Sequence, residues 1–213
     1  MIKIQAVVIL LSLSILLSCT SENKIQLKSG DLLFCGKSSS GISQAIDKVT
    51  QTHTNTHFSH VGMVEASDSG IFVLHASPEG GTCKISLSEF LHTEGEKVTV
   101  VAYRLKAPWR KAISAALRRS HEMLGQPYNF SYILSDSAHY CSEFVYRAFA
   151  PDSIFRLEPM TFKDAETQNF SPEWVEYYKK MNLQIPEGLP GCNPNGLAAS
   201  NRLEQLGIVS GSK

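Results

Sequence analysis

The chain has 213 residues, of which 43% are hydrophobic, and its 20 basic residues are balanced by 20 acidic ones. This length and composition suit a single hydrophobic core with at most a small appendage. The neutral balance argues against a nucleic-acid-binding protein, which needs a concentrated cationic face.

The first 18 residues have the pattern of a secretory signal peptide. Their apolar stretch is too short to span a bilayer comfortably, and it ends in Leu16-Leu17-Ser18-Cys19. This ending resembles the lipobox of bacterial lipoproteins. We therefore expect residues 1–18 to be removed, Cys19 to be lipidated and to anchor the protein in a membrane of the bacterial envelope, and residues 19–28 to form a tether. An ordinary secretory signal with an incidental cysteine is the alternative.

The rest of the chain mixes strand and helix patterns. Short apolar or alternating runs predict strands at residues 30–34, 58–65, 71–76 and 97–105. Helical spacing and start and stop signals predict helices over 41–50, 108–124, 139–150 and from 171 to about 181, with a helical turn at 86–91. Together these elements predict one α+β domain over residues 29–213, whose C-terminal part, from about residue 182, wraps around it.

A turn signal, Ser67-Asp68-Ser69-Gly70, separates the second and third predicted strands. If it forms the hairpin turn, His60 lies opposite Ser77, and His75 lies opposite Gly62. The two histidines then share one face as a diagonal pair, with Cα atoms roughly 7–8 Å apart, whereas a slip of one residue would separate them. Two imidazoles on one face suit a general base and the group that orients it. Two unrelated strand histidines are the alternative.

Cys141 lies at the start of a predicted helix, in the run His139-Tyr140-Cys141-Ser142-Glu143-Phe144-Val145. Its thiol shares the apolar stripe of that helix but sits in the first turn. There, the partial positive charge and the free N–H groups of a helix start favour a thiolate, as a nucleophile requires. A plain buried cysteine fits the same pattern. If Cys141 acts as a thiolate, Cys35, Cys83 and Cys192 allow one disulfide at most, and the sequence does not choose the pair.

Other catalytic chemistries have weaker signals. The histidines between His53 and His60 suggest a metal site, but they lie on an irregular loop without fixed ligand geometry, and no HExxH motif accompanies them. No GxSxG motif of a serine hydrolase is present either. We therefore expect neither a metal nor another cofactor.

Four motifs combine in an order that is specific: Gly30-Asp31-Leu32-Leu33-Phe34, Ser59-His60-Val61-Gly62-Met63-Val64, Val73-Leu74-His75-Ala76 and Tyr140-Cys141-Ser142-Glu143-Phe144-Val145. With the histidine before the cysteine, they resemble the circularly permuted papain-like enzymes of the NlpC superfamily. Within that superfamily they are most similar to the YiiX/YaeF-like amidases, which also resemble lecithin:retinol acyltransferase. Gly125-Gln126-Pro127-Tyr128 fits the same pattern, and the resemblance covers about residues 29–150. It implies a papain-like fold in permuted order, with a central antiparallel sheet or barrel packed against helices.

The resemblance also implies roles for individual residues. Cys141 would be the nucleophile, His60 the general base and His75 the group that orients His60, at a place where several relatives have a glutamate. Tyr128 and Tyr140 are candidates to bind substrate or an oxyanion. The implied activity is that of a cysteine-dependent hydrolase or acyltransferase, which acts on an amide or ester of a cell-wall peptide or a lipid through a thioester. A lipid- or peptide-binding lipoprotein with a non-catalytic triad is the alternative.

Overall fold

The computed structural model describes residues 25–36, 42–93 and 98–210. The expected signal peptide, Cys19 and most of the expected tether lie outside the described residues. Within those ranges, no helix has both the length and the apolar character that crossing a bilayer requires.

A six-stranded sheet forms the centre of the fold. Its strands lie in the order β4-β3-β2-β1-β5-β8, and every neighbouring pair is antiparallel. The strands are β1 (Leu32–Gly36), β2 (Phe58–Ser67), β3 (Gly70–Ser77), β4 (Gly81–Ser86), β5 (Val100–Leu105) and β8 (Leu203–Ser210). The two-residue strands β6 (Glu158–Pro159) and β7 (Pro190–Gly191) form a separate pair.

The described residues form six α-helices: α1 (Ile42–Val49), α2 (Leu87–Thr93), α3 (Ile113–Glu122), α4 (Cys141–Phe149), α5 (Pro172–Lys180) and α6 (Pro194–Ala198). Short 3-10 helices cover Ala107–Ala112 and Ala150–Asp152. These elements confirm the predicted α+β fold class.

The two faces of the sheet carry different cores. On one face, α4 packs against β2 and β3, and the shared core contains Val61, Met63, Leu74, Phe144 and Val145. On the other face, α2 covers a smaller core with Leu33, Val64, Val73 and Phe90. Because side chains alternate along a strand, neighbouring residues of β2 belong to different cores.

Two strands of the sheet were not predicted. The polar residues of β4 obscure its alternation, and this edge strand pairs only with β3. At the other edge, β8 pairs with β5, about a hundred residues earlier in the chain. The segment after residue 182, predicted as a wrap, therefore ends in a strand that completes the central sheet.

Candidate active site

The turn between β2 and β3 sets the register of both strands. Ser67 pairs with Gly70, which is the predicted register. This register places the two histidines diagonally on one face. His60 Nε2 and His75 Nδ1 are 2.9 Å apart, and their rings meet at 81°. The predicted meeting of the two imidazoles is confirmed.

The histidine pair is buried beneath an aromatic ring. The Phe90 ring centroid lies 5.8 Å from that of His60 and 5.3 Å from that of His75. Gly62 allows this packing, because a Cβ at that position would lie 3.1 Å from the Phe90 ring and 3.3 Å from His75 Cβ. Burial lowers the pKa of His60 to about 4, against an opposing effect of the Glu79 charge. It lowers the pKa of His75 to about 3. Both imidazoles are therefore neutral at neutral pH.

Cys141 is the first residue of α4. The sequence predicted it at the start of a helix, where a nucleophilic cysteine is favoured. Tyr140 before it is extended, with φ −85° and ψ 167°, and the Cys141 side chain is only 6% exposed. The thiol lies where the helix presents its partial positive charge, which favours a thiolate over a thiol. The same side chain lines a cavity, so a ligand in that cavity can reach it.

The cavity lined by Cys141 extends to the start of β2, the strand that carries His60. Ser59, the residue before His60, lines the same cavity as Cys141. The charge of Glu79 raises the pKa of His60. Burial raises the pKa of Tyr128 well above its ordinary value, and the charges of Cys141 and Glu79 raise it further. Glu79 thus acts on both His60 and Tyr128, and Cys141 acts on Tyr128.

The two candidate tyrosines differ in how their hydroxyls are used. The Tyr140 hydroxyl accepts a hydrogen bond from the backbone N–H of Cys192 at 3.3 Å, so it binds the C-terminal segment. Tyr128 lines the cavity beside Cys141. Both tyrosines line the cavity and carry a protonated hydroxyl at neutral pH, but the Tyr140 hydroxyl is engaged by Cys192, which makes Tyr128 the better candidate for stabilising an oxyanion.

The remaining described cysteines, Cys35, Cys83 and Cys192, form no disulfide among the described residues. Cys35 pairs directly with His60 across β1 and β2, but its side chain is fully buried and does not line the cavity. Cys192 does line the cavity, and burial raises its pKa to about 12. Its backbone carbonyl accepts a hydrogen bond from Ser142 Oγ at 3.1 Å. Of the thiols on the cavity, only Cys141 lies at a helix start.

A buried carboxylate that the sequence analysis did not single out holds the loop before Cys141. Glu143 is fully buried, and it accepts hydrogen bonds from Ser135 N at 3.0 Å, Arg147 Nε at 2.8 Å and Asn129 Nδ2 at 3.2 Å. Burial opposes its ionisation, but these bonds and the neighbouring His139 imidazole, whose Nδ1 lies 3.5 Å from Glu143 Oε1, keep the pKa of Glu143 below its ordinary value. Glu143 was hidden in the sequence because it lies on the first turn of a helix, where a solvent-exposed acid is common.

A buried asparagine joins the C-terminal segment to the start of β2. Asn195 Oδ1 accepts hydrogen bonds from Phe58 N at 2.8 Å and Thr56 Oγ1 at 3.0 Å, and its Nδ2 donates to Thr50 Oγ1 at 2.9 Å. This residue fixes the strand that carries His60 against α6. No local sequence signal pointed to it, because its partners lie about 140 residues away.

The cavity next to Cys141 has a volume of about 670 Å³. Its apolar wall is largely aromatic and includes Trp109, Tyr132, Phe155, Phe162 and Trp174. A cavity of this size and lining suits a ligand with an apolar portion. Among residues 25–36, 42–93 and 98–210, no three His, Cys, Asp or Glu side chains are placed to hold a metal ion.

Comparison with known proteins gives three findings. A family model described as "Permuted papain-like amidase enzyme, YaeF/YiiX, C92 family" matches residues 26–207. The uncharacterized protein YiiX of Escherichia coli (strain K12) is 30% identical over 125 residues, which are 58% of each chain, so the match spans little more than half of that relative. The crystal structure of YiiX from Escherichia coli O157:H7, described as a metalloprotein, superposes with a TM-score of 0.66 at 24% identity and covers 85% of this chain and 97% of that one.

Proposed function

Because the chain belongs to the YaeF/YiiX family of permuted papain-like amidases, we propose that it is a cysteine hydrolase with Cys141 as nucleophile and His60 as general base. Family membership supports a cysteine-type hydrolase. The observation that carries the assignment of residues is the 2.9 Å contact between His60 Nε2 and His75 Nδ1. Ser59, the residue before His60, lines the same cavity as Cys141.

The hydrogen bond within the histidine pair determines which nitrogen can act as the base. If His60 donates through Nε2–H and His75 accepts at Nδ1, then His60 Nδ1 carries a lone pair that can take a proton. The opposite arrangement would leave a hydrogen on His60 Nδ1 and no base. We assign the first arrangement, in which His75 orients His60 and stabilises its protonated form through the same hydrogen bond.

The proposed reaction has two steps. His60 Nδ1 takes the proton of the Cys141 thiol as the sulfur attacks the carbonyl carbon of an amide or ester. Tyr128 donates to the oxyanion, the leaving amine or alcohol takes the proton from His60, and a thioester remains on Cys141. Water, or another acceptor, then loses a proton to His60 and attacks the thioester, which releases the acyl group and restores the thiol.

The lining of the cavity supports a choice between the two substrate classes. Its aromatic wall next to Cys141 suits an apolar acyl group, so between a cell-wall peptide and a lipid amide or ester we favour the lipid. The relative's description as a metalloprotein is not carried over. The described side chains offer no three-ligand cluster for a metal, and we assign no step to one.

An acylation experiment tests the proposed nucleophile. The protein from residue 24 onward is mixed with 4-nitrophenyl octanoate, nitrophenolate release is followed, and the acylated peptide is located by mass spectrometry. We expect a rapid burst and an octanoyl thioester on Cys141, both lost in Cys141→Ala and retained in Cys35→Ala. Acylation of Cys35 or of a serine, or an undiminished burst in Cys141→Ala, would contradict the assignment.

A binding protein with a non-catalytic triad is the second candidate. The low pKa of His60 favours it, because a neutral imidazole does not hold a thiolate beside it as an imidazolium would. This reading predicts no acyl-enzyme, together with ligand affinity that survives Cys141→Ala. The acylation experiment therefore separates the two functions.

We also propose that the protein acts at the bacterial envelope. The support is the Leu16-Leu17-Ser18-Cys19 motif, since an N-terminal cysteine with several acyl chains anchors stably. Expression with a radiolabelled fatty acid should label the wild-type protein and not Cys19→Ala. Equal labelling of both proteins would show that the anchor is not at Cys19.

A further inference from the structure

The wall of the cavity holds a cationic side chain that forms no ion pair among the described residues. Arg202 lines the cavity, and its guanidinium carbon lies 4.1 Å from the centroid of the Trp109 ring. Its Nη1 is buried and has no hydrogen-bond partner. A buried cationic donor without a partner is costly, so such a group in a native structure calls for a ligand or an ordered water.

A second arginine strengthens the positive character of this wall. Arg156 lines the same cavity, and among the described residues neither arginine is part of an ion pair. One carboxylate, Glu158, also lines the cavity; it is exposed, as Arg156 is, and it forms no described ion pair with either arginine, so the buried Nη1 of Arg202 is the group that calls for an anion. The stacking on Trp109 fixes the plane of the Arg202 guanidinium, which suits planar recognition of an oxyanion.

From these contacts we propose that Arg202 is the anion-binding residue of the cavity, and that the ligand carries a carboxylate or phosphate as well as an apolar portion. This inference rests on the proposed function in that the ligand's carbonyl reaches Cys141 in the same cavity. Trp109 and Arg202 bind the anionic group, while Phe155, Phe162 and Trp174 contact the apolar portion. Carboxylate and phosphate share the chemistry that a guanidinium recognises, so the test includes both.

Binding to a protein that cannot turn over its ligand isolates this inference from catalysis. In Cys141→Ala, tryptophan fluorescence reports on the cavity, since Trp109 and Trp174 line it. The probes are N-dodecanoylglycine, dodecyl phosphate and the uncharged N-dodecanoylglycinamide, each below its micelle concentration. Arg202→Gln removes the charge and Arg202→Lys keeps it without the planar fork. Arg118→Gln is the matched control, because Arg118 is exposed, pairs with Glu122 and does not line the cavity.

We expect at least one of the two anions to bind about tenfold or more tightly than the amide, as a charge-assisted hydrogen bond implies. The anion that binds more tightly shows whether the cavity prefers a carboxylate or a phosphate. Arg202→Gln should abolish this preference with little effect on the Kd of the amide, Arg202→Lys should retain part of it, and Arg118→Gln should retain all of it.

Equal Kd values for charged and neutral probes, or a preference unchanged in Arg202→Gln, would overturn the proposal. If Arg202→Gln does not fold, an undiminished preference in Arg202→Lys would overturn it instead. If no probe shows a preference for the anion, the result for acylation of Cys141 is unaffected, so the two proposals can fail separately.

Discussion

At the scale of single residues, the third member of the proposed triad is a histidine rather than a carboxylate. A neutral imidazole stabilises protonated His60 less than a carboxylate does, but its Nδ1 lies 2.9 Å from His60 Nε2 and can accept a hydrogen bond from it. His75 therefore orients the base without holding it charged. In the proposed mechanism Cys141 therefore loses its proton to His60 as its sulfur attacks the carbonyl carbon.

Because His60 is the proposed base and His75 only orients it, removing the two histidines should have unequal effects. His60→Ala removes the base and should slow acylation of Cys141 by about 10²- to 10⁴-fold. His75→Ala leaves the base but frees its ring to rotate, so the loss should be smaller. The burst rate with 4-nitrophenyl octanoate measures both, and Cys83→Ala, outside the cavity, serves as control. Full activity in His60→Ala would show that another group is the base.

The low pKa of the base predicts an unusual pH profile. His60 accepts a proton only when neutral, and burial lowers its pKa to about 4. Acylation should therefore persist at pH 5 and fall only as the pH approaches 4, whereas an ordinary histidine would lose activity below about pH 6.5. The Glu79 charge raises the pKa of His60, so Glu79→Gln should move the acid limb to still lower pH. An acid limb near pH 6.5 in the wild-type protein would contradict this account.

At the scale of elements, the loop between α3 and α4 carries Tyr128 and leads into Cys141. Glu143 binds this loop at Asn129 and Ser135, and binds α4 itself at Arg147. One buried carboxylate thus couples the start of the nucleophile helix to the segment that follows Tyr128.

Removing that carboxylate should affect both stability and activity. Glu143→Ala leaves Arg147 and the loop amides without their acceptor, which should cost about 3 kcal/mol in free energy of unfolding. Urea unfolding measures this cost. Glu143→Gln keeps the size and one acceptor, so it should lose less. If Glu143→Ala acylates at the wild-type rate while folded, the loop does not need this anchor for catalysis.

Sequence reasoning found the features whose determinants are local. The hairpin turn Ser67–Gly70 sets the register that joins His60 to His75, and a helical stripe locates Cys141 at the start of α4. It could not find contacts between segments far apart in the chain. Asn195 contacts Phe58 at the start of β2, 137 residues earlier in the chain. Arg202 lies over Trp109, roughly ninety residues earlier.

At the scale of the whole molecule, this limit has a structural cause. The cavity wall is assembled from the segments before β2, after α4 and after β7, and no single segment reveals its chemistry. The C-terminal segment closes the arrangement, because β8 pairs with β5 at the edge of the sheet while Cys192 and Asn195 contact the site. The same C-terminal segment therefore completes both the sheet and the site.

The buried histidines should make this folding sensitive to acid. Their pKa values, about 4 and 3, lie below the ordinary 6.5, so between pH 6.5 and 4 the unfolded chain binds more protons than the folded one. Stability is thus complete above pH 6.5 and is lost as the pH falls, by about 2 kcal/mol per histidine between pH 7 and 5. Urea unfolding at the two pH values measures this loss. His75→Gln should lose about half of the dependence, and the exposed His53→Gln should lose none. An unfolding free energy that is the same at pH 7 and 5, or an unchanged dependence in His75→Gln, would show that the pair is not held neutral by burial.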